Sequence, residues 1–192
     1  MVLESDQLPD ILVKVKEKGH RLFQKGEYNL NIIAERVVSE MTNLFDDFVH
    51  VCYRKNGKWI HEQFMATTDP GRFHILNSEK GVATLQPGQY FSTWTIGKHK
   101  GKYTALVQEK PVKVWRDRNR NGIPDDDLVT DVGIFGINIH HATSSGASRL
   151  IDRWSAGCIV FAESDGFARF MQLCQMSAER YGNLFTVTLI ES

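Results

Sequence analysis

Cys158 ends a turn of small residues, Ser155-Ala156-Gly157-Cys158, eighteen positions after His140. Cysteine and histidine together can do acyl-transfer chemistry. A free thiol has a pKa of about 8.5, so it needs a neighbouring base or cation to act as a thiolate at neutral pH. Histidine is the usual partner. Gly157 lets the backbone turn tightly and approach a substrate, and the amides around Gly157 and Cys158 are candidates for an oxyanion site. Ser155 is read either as a structural turn serine or as a hydrogen-bond partner that orients the histidine. His141 directly follows His140. Neighbours in a strand face opposite sides, so a continuous strand delivers only one of the two to a site. His141 is then a substrate contact or a solvated or satisfied histidine. Arg149, Arg153 and Trp154 precede the turn. A guanidinium fork suits a carboxylate. The competing reading is a solvated loop with one aromatic anchor, in which Asp152 pairs with an arginine.

The run INIHHA, with fourteen residues between His140 and Ser155 and then WSAGC, resembles the signature of the L,D-transpeptidase (YkuD-type) catalytic domain. The similarity runs from about Asn43 to the C-terminus and is also close to a phage- and prophage-associated branch. It implies that His140 is the base, Cys158 the nucleophile, and Ser155 and Gly157 the turn residues. It also implies that peptidoglycan stem peptides are the substrate, with Arg149, Arg153, Trp154 and His141 as their contacts, and that no cofactor is required. Two positions depart from the pattern. Ala156 stands where the family has a second histidine, and Val160 stands near its usual Arg or Asn.

A separate stretch could hold a metal. Asp117, Asn119 and Asn121, followed by Gly122, match positions 1, 3, 5 and 6 of an EF-hand calcium loop, with Ile123 at the carbonyl position and Asp125 at position 9. Position 12 is Leu128 rather than a bidentate Glu. The loop is thus read either as a structural calcium site or as a polar hairpin loop. The other histidines lack metal-ligand spacing, which argues against a zinc hydrolase.

The elements that must position these residues are mostly strands. Leu8 to Lys25 carries Ile11, Leu12, Val15, Leu22 and Phe23 at amphipathic spacing and stops at Gly26, a helix pattern. Asn29 to Val38 reads as a strand or linker. Residues 40–43 mark a boundary, giving an N-terminal helical or linker segment (1–42) and a catalytic domain (43–192). Phe48–Tyr53 and Trp59–Thr67 flank Asn56-Gly57, a hairpin signal. Strands are expected from Pro87 to Thr95, Tyr103 to Gln108, Pro111 to Arg116, Asp131 to His140 and Leu184 to Ile190. One late helix is expected over Glu163–Tyr181. The fold class is therefore mainly β with an N-terminal helix and one late helix, β-sandwich-like as in the L,D-transpeptidase fold.

Composition narrows the function. The chain has 192 residues, 42% hydrophobic, enough for a sizeable core. Net charge is zero and no basic patch stands out, so no nucleic-acid partner is expected. No apolar run reaches the length of a membrane span. The opening MVLESDQLPD lacks the regions of a signal peptide, so cytoplasmic synthesis is expected, with the wall reached after release or export. Cys52, Cys158 and Cys174 do not make a disulfide framework. Cys52 and Cys174 read as small buried hydrophobes. The expected function is a cysteine-dependent enzyme that cleaves or exchanges L,D peptide bonds in stem peptides, with lysin-like hydrolysis slightly favoured. The alternative is a non-catalytic wall-binding or virion module that keeps the fold. Papain-like proteolysis fits less well, because that family places Cys before His.

Overall fold

A computed structural model describes residues 2–38, 43–122 and 130–192. Strand β1 (Val2–Ser5) and helix α1 (Asp10–Glu17) come first, followed by β2 (Asn31–Arg36), β3 (Asp47–Lys55) and β4 (Lys58–Thr67). A short helix α2 (Arg72–Asn77) leads to β5 (Val82–Leu85), β6 (Gly88–His99), β7 (Tyr103–Gln108) and β8 (Val112–Asp117). The chain ends with β9 (Asp131–Gly133), β10 (Ile139–His141), β11 (Ile159–Phe161), helix α3 (Ser164–Tyr181) and β12 (Phe185–Glu191). The chain is mainly β, and both expected helices form. α2 was not expected.

Closure of the main sheet is the chief departure from expectation. Strands run β4-β11-β10-β7-β6-β12-β2-β3, and β3 pairs back onto β4, so eight strands make a barrel rather than two facing layers. The long strand β4 makes this possible. One edge pairs with β3 along its whole length, from Lys58↔Lys55 to Ala66↔Asp47. The other edge takes β1 near its start and β11 near its end. Closure pairs edges that a sandwich would leave open. Asn56 and Gly57, both at positive φ (51° and 80°), make the tight β3–β4 turn. Strands β5, β8 and β9 form a separate three-stranded sheet.

Side chains alternate between the barrel interior and its outer surface. Ile139, Ile159, Phe161, Leu106, Trp94 and Val187 face inward, and α3 adds Phe167, Phe170 and Leu173 to the same core. On one outer face, α1 lays Ile11, Leu12 and Val15 over Ile33, Cys52, Trp59 and Ile190. β2 is therefore buried on both faces at all six positions, which removes the alternation that marks a strand in sequence. It is also an inner strand of the barrel. Residues before the boundary expected at 42 thus belong to the same folded unit as those after it.

Two expected elements change length. The helix expected to reach Lys25 ends at Glu17, where Gly19 adopts φ 80° and its N–H bonds Lys16 O. Beyond it, side-chain amides hold the chain: Asn31 bonds both the N–H and the carbonyl of Phe23. The strand expected over 131–140 is split in two. β9 joins the small sheet and β10 the barrel. Between them Gly136 sits at φ 73°, and Gln108 Oε1 accepts the N–H groups of Phe135 and Ile137.

Candidate active site on the outer barrel face

β10 and β11 are parallel neighbours, with His140 opposite Val160 and Ile139 opposite Ile159. One step earlier, Ile159 N–H donates to Asn138 O, so Cys158 lies beside Asn138. Ile139 and Ile159 point into the barrel, so Asn138, His140, Cys158 and Val160 point outward. Val160 and Cys158 pack there with Phe45, Ala142, Ile151 and Ala162. The expected pairing of His140 and Cys158 thus rests on one outer strip of two adjacent strands.

The segment that carries the nucleophile turn is anchored backbone to backbone. Gly71 N–H donates to Ser155 O at 2.8 Å. His74 Nε2 donates to Arg153 O at 3.1 Å, since a carbonyl can only accept. Asn43 Oδ1 accepts the N–H groups of Asp152 and Arg72, and its amide donates to the Asp152 carboxylate. Asp152 is therefore tied to Asn43. Within the turn, fully buried Ser155 accepts Gly157 N–H at 3.1 Å and donates to Cys158 O at 2.9 Å. Its role is to hold the turn. Gly157 sits at φ 122°, and a Cβ there would overlap the carbonyl oxygen of Ala83. The glycine is needed for packing against β5, not for approach to a substrate. Its amide is also spent on Ser155, leaving the Cys158 amide as the expected oxyanion donor.

His140 is buried, and its Nδ1 lies 2.9 Å from His141 O. The carbonyl accepts, so Nδ1 carries the proton and Nε2 keeps a lone pair, the tautomer a general base needs. Tyr103 Oη is 3.2 Å from the same Nδ1. The His99 ring stacks on His140 with centroids 4.1 Å apart. Gln108 N–H donates to Asn138 Oδ1, which turns the Asn138 amide nitrogen toward His99 Nδ1 at 3.1 Å. His99 therefore accepts at Nδ1 and holds its proton on Nε2.

Burial pushes the His140 pKa down to about 3, and the nearby His99 and Lys100 push the same way. Burial also lowers His99. Burial raises the Cys158 thiol, partly offset by the Asn138 N–H and by Lys100. The sulfur lies 3.5 Å from Asn138 N and 3.4 Å from Gly136 O. Thiol and imidazole are thus both neutral at rest. Burial raises Tyr103 as well, and the charge of Cys158 adds to that, which places the sulfur within electrostatic reach of the phenol.

The expected substrate contacts sit apart from this cluster. The Arg153 guanidinium lies 3.9 Å over the Phe73 ring. With exposed Trp154 it lines a groove of about 490 Å³ against Arg72, Phe73 and Leu76 of α2. Arg149 is exposed. The His141 ring packs between Tyr103 (4.2 Å) and Phe167 (5.1 Å), on the face away from His140. Lys100, rather than an arginine, is the cation whose charge acts on Cys158. Sequence reasoning missed His99, Tyr103, Asn138 and Lys100. The only local hint was the hairpin turn near Gly101, which pairs His99 with Tyr103.

In the Asp117 loop, Asp117 is buried and Oδ2 accepts Gly122 N–H at 3.0 Å. Asn119 Oδ1 accepts Asn121 N–H at 2.9 Å. Ile123 and Asp125, the other expected ligands, lie outside the described residues. Among the described residues no cluster of three or more His, Cys, Asp or Glu is placed to hold a metal, and no helix is long and apolar enough to cross a membrane. Comparison of the chain with protein-family models, with curated proteins and with solved structures found no match in any of the three.

Proposed function

We propose that the chain is a cysteine-dependent acyl-transfer enzyme of the L,D-transpeptidase type, acting on L,D peptide bonds of peptidoglycan stem peptides. The observation that carries this reading is the His140 tautomer. Its protonated Nδ1 is held by His141 O, leaving Nε2 as the proton acceptor on the face that also presents Cys158. In the proposed step, the Cys158 proton passes to His140 Nε2 while sulfur attacks the carbonyl carbon. The C–N bond then breaks, the leaving amine takes the proton, and a thioester remains. Water or an amine, deprotonated by His140, releases the acyl group. Because both groups are neutral at rest, the thiolate forms only as substrate displaces water. Lys100 is the cation that would meet a stem-peptide carboxylate near the sulfur. Hydrolysis of the lysin-like kind is slightly favoured over exchange, on the resemblance to the phage-associated branch.

The test is incubation with defined muropeptides, with and without a free D-amino acid, followed by mass spectrometry. Loss of D-Ala or of a cross-link, abolished by Cys158→Ala and by His140→Ala, supports the proposal. Unchanged masses, or products that survive Cys158→Ala, refute it. A second reading, a non-catalytic wall-binding or virion module, is favoured by the raised thiol and the lowered imidazole. It expects sedimentation with purified walls, equal for the native chain and Cys158→Ala, and no product.

A further inference from the structure

We propose that the Asp117–Gly122 loop binds a calcium ion through the Asp117 carboxylate and the side-chain oxygens of Asn119 and Asn121. The loop follows β8, so its first ligand is fixed by the small sheet. Asp117 is 1% exposed. Its Oδ2 is held inward by Gly122 N–H, which aims the carboxylate into the turn. Oδ1 is sealed from solvent and meets no donor among the described residues. A buried carboxylate oxygen without a donor is costly, and a cation inside the turn removes that cost. Arg120 and Gly122 adopt positive φ (62° and 86°), which curls the backbone around the same point. Asn119 Oδ1 accepts one N–H, and an amide oxygen retains a second lone pair.

The ligands are all oxygen, which selects a hard cation. They come from a curled loop at alternate positions, with glycine at the sixth, a spacing suited to the larger and less geometrically demanding calcium rather than to octahedral magnesium. One carboxylate and two amides put the affinity at the weak end, with a Kd of roughly 10⁻⁴–10⁻³ M. The ion's place gives it a structural consequence. Arg120, Asn121 and Gly122 face Asp69, Pro70 and Ile151 across a cavity of about 290 Å³. Those residues belong to the segments that anchor the Cys158 turn. A bound ion therefore braces that wall without entering the acyl-transfer chemistry, and the inference stands independently of the proposed activity.

The test is calorimetric titration of the full chain with calcium chloride, after chelator treatment and dialysis, with thermal melts in calcium, in magnesium and in EDTA. Saturable one-to-one heat is expected, with a rise in Tm larger in calcium than in equimolar magnesium. Asp117→Asn and Asn119→Ala should each weaken binding about tenfold or more. Asn119 is exposed, so its variant keeps the fold, which circular dichroism checks. Absence of saturable heat with the folded native chain overturns the proposal. So does an equal effect of magnesium, or native affinity in both variants.

Discussion

Ser155→Ala is the sharpest test of how the nucleophile turn is built. The hydroxyl is fully buried and bridges two backbone groups three bonds apart in role, accepting Gly157 N–H at 3.1 Å and donating to Cys158 O at 2.9 Å. Removing it strands the buried amide of Gly157, at a cost of about 1–3 kcal/mol. It also deletes one ordinary hydrogen bond to the Cys158 carbonyl, worth about 1 kcal/mol. The total is about 2–4 kcal/mol. In a chain of this length each kcal/mol moves Tm by roughly 2–4 °C, so a fall of roughly 5–15 °C is expected. Urea denaturation followed by tryptophan fluorescence, backed by a thermal melt, gives both quantities. Ala156→Ser is the control. Residue 156 is exposed in the same turn, and its change should stay within about 0.5 kcal/mol. A Ser155→Ala chain within that same margin, at an unchanged m-value, would refute the account of the turn.

Three further outcomes are expected. His140 binds a proton at about 6.5 when unfolded but only near 3 in the fold. Its contribution to stability is therefore complete above pH 6.5 and is lost as pH falls from 6.5 toward 3. The loss is up to roughly 4 kcal/mol, and His140→Asn should flatten this acid limb in melts between pH 7 and 3. With a small alkylating agent, Cys158 should react well ahead of Cys52 and Cys174, which are both fully buried. Because burial raises its thiol, its rate should still climb beyond pH 8.5, and a plateau below pH 8 would contradict the neutral resting thiol. Arg36 is buried, with Nε 2.9 Å from Thr68 Oγ1, an ion pair to Asp69 at 3.2 Å and bonds to the Thr68 and Leu85 carbonyls. Arg36→Ala should cost about 3–5 kcal/mol by denaturant titration, because it leaves a buried carboxylate uncompensated. Arg36→Lys should recover only part, since an ammonium cannot reproduce the guanidinium fork.

The legible parts of this chain are those governed by near neighbours. Asn56-Gly57 dictated the β3–β4 hairpin because only residues tolerant of positive φ make so tight a turn. The spacing of Phe167, Phe170 and Cys174 marked α3, and SAGC marked a tight turn, with Gly157 at φ 122°. Residues 31–36 were ambiguous, because burial on both faces erases the two-residue period. The strand read over 131–140 was too long, because nothing local says that Val132 and His140 serve different sheets.

By itself the sequence determined a mainly β chain and brought Cys158 and His140 under suspicion, since residue types and chain spacing carry that much. Only the tertiary structure decided that the sheet closes into a barrel, and that His99, Tyr103 and Asn138 gather around His140 while Arg153 turns onto Phe73. The physical reason is that pairing across strands distant in sequence depends on which edges remain open once the shorter-range hairpins have formed. Local propensity does not encode that choice.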